Sequence, residues 1–439
     1  MDATRKMPPD LLQRLLESWP DALSGQCRLE LGLSGGMDSM VLLDLLVQAR
    51  ARLGFALSAV HVHHGLSRHA DAWAERCRAV CMSYGVELRI ERVQVSVSGG
   101  ESLEAVARRE RYRVYAASSA DALVLAHHQD DLAETVLLQL LRGGGPRALA
   151  AMPVWRMHEK VGLWRPMLAV RRSQIEAYAQ AHHLLWVEDE SNADTRWRRN
   201  LLRHAVLPEI AGQIPHYRQH LARSAALCAD AADILREVAC ADLAAVKTGG
   251  RLAMPAFAAL SCARQRQLLA YWCEQLALGQ PAPSALEHFR QQLLGAAAAA
   301  SPCLALDSGA LVRYRGEVWA CRQSPACAEV KLTGLMPGSA VLPLGWAGCL
   351  SLTLKSSGLP VDWLAGDLRL LPRQGGERLA QSVGRKPVKT LLQEAGLPPL
   401  LREQWPLLYR GTELVAVPGV AISSDHLQAG GWVPQWTPA

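Results

Sequence analysis

Between residues 27 and 190, short apolar runs alternate with longer stretches in which apolar positions recur every three or four residues. The runs LELGL (29–33), ALSAVHV (56–62), ELRIERVQV (87–95) and ALVLAH (122–127) have the length and aliphatic character of strands. The stretches 38–52, 68–84, 101–119 and 130–142 read as helices; Met40, Leu42, Leu43, Leu45, Leu46 and Val47 set the spacing in the first. Such alternation predicts an α/β fold, a parallel sheet wrapped by helices. Ligands of open sheets gather beyond the carboxyl ends of the strands. Three polar motifs fall there: SGG after the first run, HHG after the second and HHQDD after the fourth.

The rhythm changes further along. From about 205 to 300 strand signals vanish, and Ala/Leu/Arg/Gln-rich helical patterns run up to the alanine tract 296–300, a helix end or tether. A hairpin-like CLALDSGALVRYRGEVWACR begins at 303, a Pro/Gly-punctuated strand-rich stretch covers 328–356, and a basic segment follows. The expected division is an α/β catalytic domain at 1–210, a helical domain at 211–330 and a small α+β domain at 331–439.

The junction of the first strand and helix carries the sharpest chemistry. Ser34-Gly35-Gly36-Met37-Asp38-Ser39 places two glycines where backbone N–H groups must approach a ligand. The helix start beyond them offers free amides and roughly half a positive charge, which suits phosphate. Ser34 and Ser39 add hydroxyls, and Asp38 is the candidate for a phosphate-bridged Mg²⁺. No GK[ST] occurs anywhere in the chain, and the segment lacks GxGxxG, so neither a Walker loop nor a dinucleotide fingerprint accounts for it. In HHQDDLAET, Asp131 and Glu134 are three apart and share a helical face, as a metal or a cationic substrate requires. A helix start that simply favours acids is the plainer reading, with His127 and His128 as ordinary strand-end histidines, and the presence of SGGMDS weighs against both. ARRERY (107–112) sets Arg108 and Arg111 on a helix where they can neutralise phosphate or a transition state.

Composition narrows the class. Half of the 439 residues are hydrophobic, enough for two or three cores, and no apolar run reaches the length of a membrane span. The start, MDATRKMPPDLLQRLLESW, has no signal-peptide core. Eleven cysteines without a repeated spacing, and with no CxxC, read as reduced thiols in the cytoplasm rather than a zinc site. The net charge of +6 is unevenly placed: residues 365–410 hold eight Lys/Arg against four acids, and RWRRNLLR (196–203) holds four arginines. Such clusters are usually solvated faces, yet two in one chain that offers a phosphate cradle favour a polyanionic partner.

SGGMDS resembles the SGGxDS loop of the PP-loop ATP pyrophosphatases, which cleave ATP between the α and β phosphates. SGGMDS, HVHHGLS (61–67), ARRERY, HHQDDLAET with RGGG, and VEDESNADTRWRRNLLR occur in that order. With RQGGERL (373–379) and KTLLQEAGLPPLLREQWPLL (389–408), the set resembles the bacterial tRNA(Ile)-lysidine synthetases over nearly the whole chain. Leu132 stands where that family often has Gln, and Ala148 where it has Gly. The resemblance implies a ligase that adenylates the wobble cytidine of a CAU anticodon with ATP and then joins L-lysine to it, giving lysidine, AMP and pyrophosphate. It implies ATP contacts at Ser34, Gly35, Gly36, Met37, Asp38, Ser39, His64 and Gly65. By the same resemblance Asp38 is assigned to Mg²⁺–ATP, Arg108 or Arg111 to phosphate charge, and Asp131 and Glu134 to the lysine amine or a metal. The two later domains would bind minor isoleucine tRNA, with monomer and homodimer equally open. The rivals are a PP-loop tRNA sulfur transferase and a non-catalytic tRNA-binding protein.

Overall fold

The computed structural model describes residues 10–23, 26–96, 101–188, 190, 198–297, 300–323, 327–333, 335 and 338–438. The chain forms two compact units, residues 1–233 and 234–439.

The first unit is the expected α/β layer. Its strands are β1 (Arg28–Gly32), β2 (Ala56–His63), β3 (Glu87–Arg92), β4 (Ala122–Val124), β5 (Trp155–His158) and β6 (Val161–Trp164). Its helices are α1 (Leu11–Glu17), α2 (Met37–Leu53), α3 (Ala70–Ser83), α4 (Leu103–Ala116), α5 (Gln129–Leu141), α6 (Pro146–Leu149) and α7 (Arg172–Ala181). They are followed by α8 (Arg198–Leu201), a π-helical turn (Leu202–Val206), α9 (Leu207–Gln213) and α10 (Tyr217–Val246). The sheet order is β3-β2-β1-β4-β6-β5, parallel except for the β5 edge. From β1 the chain winds first toward β3 and then crosses to β4, so the strand order reverses between β1 and β4. Crevices form at such reversals. The four sequence-predicted strands and helices of this unit are present, while the β5–β6 hairpin and α7 extend it.

Burial explains the order. Leu29, Leu31 and Leu33 are fully enclosed, as are Val41, Leu42, Leu43, Leu45 and Leu46 of α2, which is wrapped on nearly all sides. Glu30, buried in the central strand, is matched by the Arg89 guanidinium at 3.2 Å. Asp44 clamps α2 from within: it accepts hydrogen bonds from Tyr178 Oη (2.6 Å), Gln48 Nε2 (2.8 Å) and Tyr84 Oη (3.0 Å). Gly54, at φ +75°, ends the helix with its amide on Arg50 O.

In the second unit, helices Cys262–Gln275 and Pro283–Gly295 bury Leu268, Leu269, Trp272, Phe289 and Leu293 against a sheet. The helical stretch 205–300 is not free of strands. Lys247–Thr248 and Arg251–Ala253 form a small hairpin across Gly249 and Gly250, and Arg251–Ala253 pairs with Glu317–Arg322. Strands this short have no periodicity to announce them. The expected hairpin after 303 is a three-stranded meander, Cys303–Leu306, Gly309–Tyr314 and Glu317–Arg322. The alanine tract follows the end of a helix at Gly295, and its residues 298 and 299 lie outside the described ones. Beyond it, antiparallel strands and two short helices share one core, from Ala310 and Trp319 to Leu407 and Trp432. This is the α+β part.

Candidate active site

At the end of β1 the backbone takes the bend the glycines predicted. Gly35 sits at φ +85°, and a Cβ there would lie 3.0 Å from Cys77 Sγ and 3.2 Å from Val187 Cγ2. Gly36 opens α2 without a side chain to cap it, so the first-turn amides are left for an anion. The serines fix the loop's shape. Ser39 Oγ donates to Gly36 O (2.9 Å) and accepts from Gly35 N (3.2 Å), while Ser34 Oγ accepts from Gly36 N (3.3 Å). Met37 is buried at the helix start.

Asp38, in the same turn, faces the end of β4. Its Oδ2 lies 3.8 Å from His128 Nε2, and its Oδ1 is buried with no hydrogen-bond partner. Burial raises its carboxyl above the ordinary value; His128 opposes the rise and Asp131 reinforces it. His128 is an organiser rather than a plain strand-end residue. Its Nδ1 accepts the Asp131 amide (3.3 Å) as the N-cap of α5, and Asp131 Oδ2 accepts the His128 amide (3.1 Å) in return. In the neutral ring that bond puts the hydrogen on Nε2, 3.4 Å from Asp131 Oδ2. Burial pushes the Asp131 carboxyl up, but His128 and Arg199 outweigh it and hold it at about 2.

Asp131 and Glu134 do lie on one face, as their spacing predicted, and both are bound by arginine. Arg199 reaches Glu134 Oε2 (2.7 Å) and Asp131 Oδ1 (2.9 Å). Arg203 reaches Glu134 Oε1 (2.6 Å) and Asp131 Oδ1 (3.3 Å). Glu134 is 1% exposed. Asp130 is held by Arg218 and by the Arg172 amide at 2.9 Å. Two arginines of RWRRNLLR are therefore turned inward, not offered to a polyanion. Arg196 and Trp197 of that motif lie outside the described residues. The sequence carried the signal: 199 and 203 are four apart, one helical face opposite another. The π-helical turn that carries Arg203 is a form frequent at functional sites.

The remaining candidates form the rim. His64 follows β2, half-buried, with Nδ1 unpartnered; burial, then Arg111, His61 and His63, push its ring down to about 4. Gly65 beside it is exposed at φ +68°. His127 is pushed down to about 3 by burial, with Asp131 opposing and Arg165, Arg199 and Arg108 adding to the shift. Arg108 and Arg111 are exposed on α4, and among the described residues neither has a carboxylate partner. All eleven cysteines are free thiols. Among the described residues no group of three or more His, Cys, Asp or Glu could hold a metal, and no helix is long and apolar enough to cross a membrane.

In the basic stretch 365–410, several cations have structural work. Arg369 pairs with Glu329, Lys386 with Glu394, Arg402 donates to Leu397 O and Tyr314 Oη, and Arg410 lies over the Trp363 ring. Arg378, Arg385 and Lys389 stand exposed around the Arg378–Ala380/Arg385–Pro387 hairpin.

An uncapped glycine-kinked helix start at a sheet reversal, with a carboxylate in its first turn, defines a PP-loop nucleotide-binding protein. The PP-loop domain model matches residues 9–210. Two further models match beyond it, the TilS substrate binding domain at 252–319 and the TilS substrate C-terminal domain at 368–436. The chain is 52% identical to a tRNA(Ile)-lysidine synthase of Chromobacterium violaceum, over 97% of this chain and 99% of the relative. It is 42% identical to the proteins of that name from Ralstonia nicotianae (93% and 92% covered) and Pseudomonas aeruginosa (97% and 96%). The chain belongs to the tRNA(Ile)-lysidine synthase family, a family of enzymes, as its motif order predicted.

Proposed function

We propose that this chain adenylates the wobble cytidine of a CAU-anticodon isoleucine tRNA with ATP and replaces the adenylate by L-lysine. The carrying observation is the uncapped start of α2 beside the unpartnered Asp38 Oδ1, one histidine away from Asp131. The cytosine carbonyl oxygen is a poor leaving group, and attaching AMP to it makes its departure possible. Ser34, Gly35, Gly36, Met37 and Ser39 cradle the phosphates, and His64 and Gly65 underlie the adenosine. His64, held at about 4, stays neutral and can pack on a base without charge. Arg108 and Arg111 balance charge developing on the phosphate. Asp38 fits a Mg²⁺ ion, since its free buried oxygen and the phosphates are the usual donors; that ion would supply charge neutralisation.

Asp131 and Glu134 orient the lysine amine in this reading. Free lysine, at pKa ~10.4, costs about 4.6 kcal/mol to neutralise at pH 7. An ammonium arriving here makes three cations to two carboxylates, so Arg199 and Arg203 favour the neutral, nucleophilic amine. A carboxylate held as low as Asp131 is a weak proton acceptor, and its part is positional. Orientation of this kind recovers ~7–11 kcal/mol.

The proposed division is a catalytic domain at 1–210, a helical tRNA-binding domain at 211–330 and a basic tRNA-recognition domain at 331–439. The three matched families support it. Because methionine tRNAs share the CAU anticodon, selection must read shape, phosphates and splayed bases elsewhere on the tRNA. Arg378, Arg385 and Lys389 are the exposed candidates. A cytoplasmic location fits an enzyme meeting tRNA, ATP and lysine together. The test is mass spectrometry of the wobble nucleoside after incubating protein, unmodified tRNA, ATP and lysine. Lysidine with AMP is expected; ADP as the spent nucleotide, or sulfur in the base, would refute the reading.

A further inference from the structure

Arg165 follows β6 and is 1% exposed, yet among the described residues no carboxylate pairs with it. Its Nη1 donates to Pro153 O (2.9 Å), and its Nε is buried without a partner. A buried guanidinium normally has an acid beside it, because stripping its hydration costs several kcal/mol. Its neighbours here are Tyr112 and two more cations, Arg108 and Arg156.

Tyr112 joins them. Arg108 Nη2 donates to its hydroxyl at 3.3 Å and also lies over the Tyr112 ring at 4.9 Å, and the Arg165 charge acts on the same phenol. His158 packs edge-on against that ring, centroids 5.4 Å apart. With its oxygen accepting from the Arg108 guanidinium, the phenol has its own hydrogen left for donation. Burial raises the phenol, but Arg108, Arg165 and Arg156 outweigh it and draw it below its ordinary value. Arg108 and Arg156 are exposed, so the cluster is open to solvent.

We propose that Arg108, Tyr112, Arg156 and Arg165 form a second phosphate site, which takes a phosphodiester of the RNA beside the target base. Resting on the functional reading above, it extends that reading from Arg108, which both phosphates can share, to Tyr112, Arg156 and Arg165, which the triphosphate does not use. The sheet order argues for RNA over ATP. The cradle lies at β1, and Arg165 leaves β6 on the far side of β4. Two strand spacings, roughly 10 Å, separate them. An oxyanion here would accept the Tyr112 hydrogen and neutralise the cations around it.

The test uses full-length protein and minor isoleucine tRNA, unmodified or with one uncharged methylphosphonate at either phosphate flanking the wobble cytidine. Wild-type protein should bind one methylphosphonate tRNA about tenfold more weakly. Tyr112→Phe and Arg165→Met should each bind unmodified tRNA less tightly by a similar factor and lose nothing further on that modified tRNA. Their ATP affinity should match wild type. Tyr112→Phe keeps the ring and serves where Arg165→Met fails to fold. Losses that multiply at both flanking phosphates, or variants that bind unmodified tRNA as wild type does, would overturn the proposal. So would a weakened affinity for ATP or inorganic pyrophosphate, which would assign the cluster to the triphosphate. If wild-type protein bound no tRNA at all, the functional reading would fall and take this site with it.

Discussion

Two arginine clusters flank the end of β4, and they obey opposite rules. Around Asp131 and Glu134, Arg199 and Arg203 meet the two carboxylates charge for charge at 2.6–3.3 Å. Around Tyr112, Arg108, Arg156 and Arg165 meet no acid among the described residues. The first set is charge-balanced before any substrate arrives, so an incoming amine meets carboxylates that folding has already positioned. The second is open, and its charge is accounted for only by something from outside. Arginine clusters that look alike in a sequence thus divide into those whose charge the fold balances and those whose charge it leaves open.

The most severe way to probe the contrast is through the residue that faces the balanced set across His128, from the phosphate side. Asp38→Ala should lower tRNA-dependent pyrophosphate release by ~10²–10³-fold, the scale of removing one preorganised electrostatic group. Release at the wild-type rate would remove Asp38 from the mechanism. The next pair compares stabilities. Arg203→Met takes hydrogen bonds from Glu134, which is 1% exposed, and should cost about 2 kcal/mol, lowering Tm by roughly 4–8 °C. Arg165→Met removes a buried cation with no acid to strand, so its loss should stay below about 1 kcal/mol. Equal losses in calorimetry would erase the distinction.

The smallest effect is in acid. Asp131 titrates lower in the folded protein, at about 2, than in the unfolded chain, near 4. The unfolded state therefore binds its proton first as pH falls. The stability Asp131 contributes is present above about pH 4 and is lost on the way down to about 2. Asp131→Asn should flatten that part of the acid limb in denaturant titrations; an unchanged slope would mean the carboxylate is not depressed.

The sequence revealed what repeats or bends sharply. Aliphatic runs such as Leu29–Leu33 and the helical spacing after Met40 marked the layers, and the paired glycines marked the cradle. It concealed what depends on distant partners. Arg199 and Arg203 meet carboxylates 65 to 72 positions away, so the cluster read as a surface for polyanions. His128 read as an ordinary strand-end residue because its work is a cap and a bridge, both tertiary. Arg165 sits within WRPML, where only its burial makes it unusual. The hairpin at 247–253 and the β5–β6 pair are two to four residues per strand, too short for any period.

The three donors converging on Asp44 have a consequence for rate. Gln48 belongs to α2 itself, but Tyr84 follows α3 and Tyr178 sits on α7, so between them they fix how far that cylinder can slide or turn. A slip of one residue would carry its leading amides ~1.5 Å along the axis. Misplacement on that scale costs on the order of 10²-fold in turnover. Tyr84 and Tyr178 would then govern speed purely as mechanical stops.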